Sequence, residues 1–336
     1  MKRSTLLTAV GLILILGLGW LATALISLEG SLALELDWPR RLFSGADDLQ
    51  RSLLVDWRLP RVLTALVVGA ALAMAGLLLQ GVTRNPLADP YLLGISGGAG
   101  LLVVFVRCMI PVQALDWWLT PLSAFLGALL ATLFVIALAR GAGGRLTVVG
   151  LILAGVVVNA LCAAMMSFIL ARLDPFRLRV TTLWLAGGIG YAGWLQLSVI
   201  TGLVVVAWLV LRMRAHRLNA FALGSDGASF VGIDSQKLLM RASLTASVLA
   251  AFGVTLAGLL GYVGLIVPHA VRMLVGHDFR RTLSLGAVAG ALLMLVADSV
   301  ARLAFAPEEL PVGVFTAILG CPVLLALLRN QLRGKA

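Results

Sequence analysis

Short polar stretches divide this chain into a series of long apolar blocks, and that division constrains its fold more than any other feature. An α-helix rises 1.5 Å per residue, so about 20 residues cross a hydrocarbon layer about 30 Å thick. Blocks near that length fall at 5–27, 60–80, 92–110, 117–139, 147–170, 194–212, 239–259, 261–276, 282–304 and 311–329. The pattern predicts an all-α, polytopic membrane protein of about ten transmembrane helices, with 1–336 as a single membrane domain. Composition agrees. The 336 residues are 61% hydrophobic and only 12% charged, about half the charged share of a soluble domain. Such a chain has too few polar groups to cover a water-facing surface.

The first block follows Met1-Lys2-Arg3, as a signal peptide would. It is longer than a signal core, runs into Glu29 and lacks an Ala-x-Ala site, so it reads as a retained span. Lys and Arg are commoner in the loops on the N-terminal side, where Lys2, Lys237 and Lys335 all fall. This predicts both termini inside. The outer loops are nonetheless rich in Arg, and that richness needs a cause.

Enzyme motifs are missing. The sequence contains no phosphate-binding Gly-x-x-x-x-Gly-Lys-[Ser/Thr] loop and no His-Glu-x-x-His. We therefore expect no catalytic residue, no cofactor and no metal site. Cys108, Cys162 and Cys321 lie in apolar blocks and read as small buried hydrophobes. Any pumping must draw on another subunit.

Ionisable groups inside apolar blocks are costly and need a reason. Asp298 sits in ALLMLVADSVARLA, with Arg302 one helical turn on. The spacing suits a local ion pair; the alternative leaves Arg302 for an outer partner. His269 follows Pro268 in GLIVPHAVR and reads as a hydrogen-bonded residue at a kink. Arg58 and Arg61 flank Leu59-Pro60 at the outer start of a span. Cations oppose the dipole at a helix N-terminus, so contact with lipid headgroups or an acidic partner must favour them. Asn85, Pro86, Asp89 and Pro90 form a stiff inner turn leading to Gly94, Gly97 and Gly98, small residues that let helices approach closely. The Gly-rich pieces 181–193 and 307–313 read as short or re-entrant segments, tolerated only against protein or a water-filled cavity. The largest inner loop, 212–241, reads either as a docking site for a cytoplasmic partner or as a solvated connector. Ser225 and Asp226 within it suit a helix cap.

At these residues the chain resembles the FecCD-type permeases, importers of iron-siderophores, haem and vitamin B12. The likeness lies in RLPRVLTALVVGAALAMAGLLLQGVTRNPLADPYLLGISGGAG (58–100), WLAGGIG (184–190), LNAFALGSDGASFVGI (218–233), GYVGLIVPHAVRMLVGHDFR (261–280), and ADSVAR with ELPVGVFTAILGCP (297–322). The resemblance implies a bacterial inner-membrane permease of ten helices. It implies a homodimer or close heterodimer with the pathway between copies, two cytoplasmic ATPase subunits and a periplasmic substrate-binding protein. It places Arg58, Arg61 and Arg302 at binding-protein docking, which would account for the outer arginines. It places Leu218, Asn219, Leu223, Gly224, Ala228 and Gly232 at ATPase coupling. Asn85, Pro86, Gly94, Gly97, Gly98, Pro268, His269 and Asp298 serve pathway or packing. The expected cargo is an iron-siderophore or haem, with vitamin B12 as the alternative. Nucleic acid is not an expected partner. A secondary transporter is a more distant rival, because it would need more midplane charge than Asp298 and His269 supply.

Overall fold

The computed structural model describes residues 2–28, 31–34, 52–110, 118–140, 144–190, 192–221, 230, 232–304 and 309–333. Among them are twelve α-helices: α1 (Lys2–Ala24), α2 (Leu59–Thr83), α3 (Ile95–Met109), α4 (Leu119–Ala139), α5 (Val148–Leu170), α6 (Pro175–Leu185), α7 (Trp194–Met213), α8 (Ala215–Phe221), α9 (Ser235–Ala257), α10 (Val263–Val275), α11 (Phe279–Leu303) and α12 (Val312–Arg333). A π-helical turn, Leu53–Arg58, runs directly into α2, and a 3-10 turn, Pro90–Leu93, precedes α3.

Ten of the twelve helices coincide with the ten apolar blocks. Six are long and apolar enough to cross a membrane: α2 with its π-turn, α4, α5, α7, α9 and α11. The described apolar runs of α1, α3, α10 and α12 are shorter. Two boundaries differ from expectation. The first helix ends at Ala24, and residues 25–27 belong to strand β1 (Leu25–Leu28), paired antiparallel with β2 (Ser31–Leu34). The piece 181–193 does not begin as an irregular segment, because Thr181–Leu185 closes α6. That helix starts at Pro175, with the Asp174 carboxylate accepting the N–H groups of Phe176 and Arg177. An Asp cap followed by Pro at the first position is a legible start signal.

Helix α2 is the axis of the bundle. It packs against α11, α9 and α10, and 78% of its apolar window is buried, against 22% for α5 and α7. Lipid tails are as apolar as leucine, so close packing rather than exclusion from water holds such helices together. The crossings are built on small residues. Gly69 meets the backbone of Gly290 on α11, Gly76 meets Gly264 on α10, and Gly98 on α3 meets Gly127 on α4. At each, a Cβ would collide with a facing carbonyl oxygen.

Candidate functional site

One end of the bundle, the end expected outside, carries a four-membered charge cluster. Asp298 on α11 is fully buried, and two guanidiniums share its carboxylate. Arg61 of α2 donates from Nη2 to Oδ1 at 2.9 Å, and Arg302 places Nε 3.3 Å from Oδ2. Arg61 also reaches Glu309 at 2.9 Å through Nη1. A buried carboxylate with no partner would be strongly unfavourable. Among the described residues, two acids here face two bases. The pair expected between Asp298 and Arg302 is therefore one edge of a larger network. Arg58 is half-buried at the N-cap of α2.

Other arginines at the end expected outside have structural partners. Arg177 donates to the carbonyls of Arg107 and Cys108 at 3.3 Å, closing the C-terminus of α3, whose last carbonyls lack helical partners. Arg107 donates to the Val180 carbonyl and lies over the Trp184 ring. Arg172 lies over Phe168. These contacts by themselves give a structural reason for part of the Arg content expected at the outer face.

In the interior, Pro268 has no N–H for the carbonyl four residues back, that of Gly264. The amide of Gln80, buried on α2, donates to this carbonyl at 3.2 Å. The other side of the same amide accepts from Arg272 Nη1 at 2.8 Å. Sequence reading passed over Gln80 and Arg272; a lone Gln inside the apolar run AALAMAGLLLQGV (70–82) was the available signal. His269 is half-buried one residue beyond the kink.

The segment 85–100 is held from two sides. Asn85 accepts from the Leu87 N–H at 3.0 Å and Asp89 from Tyr91, stiffening the turn around Pro86. Gly94 adopts a φ of 81°, open to glycine at little cost. Asn159 of α5, another residue missed from sequence, accepts the Gly97 N–H at 3.1 Å and donates to the Tyr91 carbonyl at 3.0 Å. The Tyr91 hydroxyl accepts from Leu260 N. The two Gly-rich pieces meet, with the Gly313 N–H donating to the Gly187 carbonyl at 3.0 Å. Cys321 is exposed rather than buried, and its thiol donates to the Tyr262 hydroxyl at 3.2 Å.

At the opposite end, Leu218 on α8 is buried and Asn219 grips the start of α11. Asn219 Nδ2 donates to Asp278 at 2.8 Å, and its Oδ1 accepts the Phe279 N–H at 2.8 Å. Partial burial pushes the Asp278 carboxyl up. The Asn219 amide, the Arg280 N–H and the charges of Arg281 and Arg280 outweigh it and hold the group below its ordinary value. Gly232 has a φ of 77°. Leu223, Gly224 and Ala228, with Ser225 and Asp226, lie outside the described residues, as do 307 and 308. Among the described residues no cluster of His, Cys, Asp and Glu suits a metal.

Comparison with known proteins matches residues 9–330 to the FecCD transport family. A hemin transport system permease protein, HmuU of Yersinia pestis, is 38% identical over 89% of this chain and 90% of its own length. A vitamin B12 import system permease protein, BtuC of Vibrio vulnificus, is 37% identical over 97% and 94%. A solved structure of a metal-chelate type ABC transporter in an inward-facing conformation covers 96% of this chain and 98% of that one. Its TM-score is 0.79 at 26% identity.

Proposed function

The chain belongs to the FecCD transport family, a multi-pass ABC importer permease rather than an enzyme, and on that premise we propose that it carries an iron-siderophore or haem through a pathway between two copies of itself. An importer permease of this kind works with ATPase and binding-protein partners. We assign two ATPase subunits to the inner end and a periplasmic binding protein to the outer end. Both termini lie in the cytoplasm of a bacterial cell in this reading.

The observation that carries it is the course of α11. Asp278 begins this helix and Asp298 lies twenty residues on, about 30 Å along the axis, the thickness of the hydrocarbon layer. One rigid element thus joins the Asn219 grip to the Arg61–Asp298–Arg302 cluster. A shift of α8 driven by the ATPase would be felt at the far end through α11. Substrate released by the binding protein then meets a mainly apolar passage, which opens inward by alternating access.

Two predictions test the ends. Arg58→Glu should weaken docking of the cognate binding protein by roughly tenfold or more at low salt, with the loss in association rate fading as salt rises. Binding to the permease in nanodiscs measures this, and an unchanged affinity removes Arg58 from the interface. Leu223→Glu combined with Gly224→Glu should abolish co-purification of the ATPase while the permease still inserts. Retention of the ATPase would place coupling elsewhere.

The cargo is tested in proteoliposomes holding permease, ATPase and binding protein. ATP-dependent uptake of hemin or a ferric siderophore, without uptake of cobalamin, is the expected result. The second reading, a vitamin B12 importer, is favoured by the likeness to BtuC along nearly the whole chain. Cobalamin uptake alone would establish it. Uptake without ATPase that an uncoupler collapses would overturn both.

A further inference from the structure

The end of the bundle that carries α8 opens into a groove of about 840 Å3 between α7 and α9. One stripe of each helix forms its walls. On α7 and its C-cap the stripe runs Leu203, Val206, Val210 and Arg214; on α9 it runs Lys237, Arg241, Thr245, Val248 and Phe252. Steps of three and four residues keep each set on one helical face. At 1.5 Å per residue the stripes are about 16 and about 22 Å long. One leaflet of the hydrocarbon layer is about 15 Å deep. Each stripe is basic at the mouth and, Thr245 apart, apolar beyond it.

Arg214, Arg217, Lys237 and Arg241 line the mouth and are exposed, with Asp234 as their acidic neighbour. Asp234 is engaged with Lys237 at 3.0 Å and caps α9. Among the described residues, no side-chain hydrogen bond, ion pair or ring contact engages Arg214, Arg217 or Arg241. A second groove, of about 860 Å3 along α1, α7 and α11, also has a basic rim. There Arg212 donates to Ser284 at 2.7 Å and stacks over Trp208, and Arg281 faces Asp278. Two of the cations on that rim have partners within the protein, whereas among the described residues no side chain engages the guanidiniums of the three arginines of the first groove.

We propose that the α7–α9 groove binds one anionic phospholipid, with its phosphate on Arg214, Arg217 and Arg241 and an acyl chain along the apolar stripes. A basic pocket between helices at the membrane surface selects anionic headgroups. A docking protein would use the charges but would leave the wall from Val206 to Phe252 without an occupant. The site flanks both ends of the inner loop, through Arg217 on α8 and Gly232 before α9. Bound lipid therefore braces the loop we assign to ATPase coupling. The binding itself depends only on membrane insertion and not on the cargo.

The test is native mass spectrometry of the full-length permease in detergent, titrated with phosphatidylglycerol, phosphatidylcholine or glycerol phosphate. Phosphatidylglycerol should be retained over phosphatidylcholine by on the order of tenfold or more, and glycerol phosphate should not compete at equal concentration. Combining Arg214→Gln, Arg217→Gln and Arg241→Gln should erase the preference. Ala207→Trp, which fills the groove and keeps every charge, should also reduce retention; if that variant does not fold, Thr245→Leu supplies a milder obstruction. Equal retention of both lipids overturns the proposal, as does full retention in the triple Gln variant. Loss of the ATPase from the Gln variant with lipid retention unchanged also overturns it and assigns the charges to a protein partner.

Discussion

Asp298→Asn is expected to destabilise the permease by about 3 kcal/mol, because it leaves two guanidiniums facing each other beside a neutral amide. Breaking a buried pair by removing one partner costs about 3–5 kcal/mol, and burial is what sets the scale here. The Asp298 side chain is fully inaccessible, while Arg61 and Arg302 are 21% and 15% exposed. Glu309, at 54% exposed, is too solvated to take over. Thermal inactivation in detergent, compared with wild type at one scan rate, is the measurement. Adding Arg302→Gln to Asp298→Asn should recover part of the loss, since it removes one of two like charges drawn to the same site. A single variant that inactivates with wild-type kinetics would show that solvent already screens the cluster.

Gln80→Leu is expected to cost about 2–4 kcal/mol and to impair transport. Leucine fits the space but cannot donate, so the Gly264 carbonyl freed by Pro268 loses its partner. An unsatisfied buried group costs about 1–3 kcal/mol, and Arg272 loses its 2.8 Å acceptor as well. Pro268→Ala provides the control. It restores an N–H at position 268, which can close the helical bond to Gly264 without Gln80. The Gln80→Leu penalty should therefore shrink in a Pro268→Ala background. Additive penalties would mean that Gln80 acts through Arg272 alone.

These two residues mark the limit of what sequence reading reaches. Asp298 was visible because a carboxylate in an apolar block is costly anywhere in lipid. Its neighbour Arg302 was visible because four residues make one helical turn. Arg61, 237 positions away, was visible only as a cation at a helix start, read as facing outward. Gln80 carries no charge and breaks no helix, so it stayed inside an apolar run, and its meaning depends on a proline in another helix. Asn159 escaped notice for the same reason. Helix α6 was missed although Asp174-Pro175 announced it, because its apolar content is too low and its length too short for a span.

The sequence by itself determined the all-helical membrane class, the places of ten apolar helices and the family. Lipid imposes one length and one demand, that every backbone group be satisfied within the protein, and both are written locally along the chain. The tertiary structure alone decided which charges share a carboxylate, which carbonyl Gln80 rescues, and that Asn219 holds α11 while the two Gly-rich pieces touch. Each of these joins residues tens to hundreds of positions apart. Such pairing depends on which helix faces meet, and hydropathy carries no record of that.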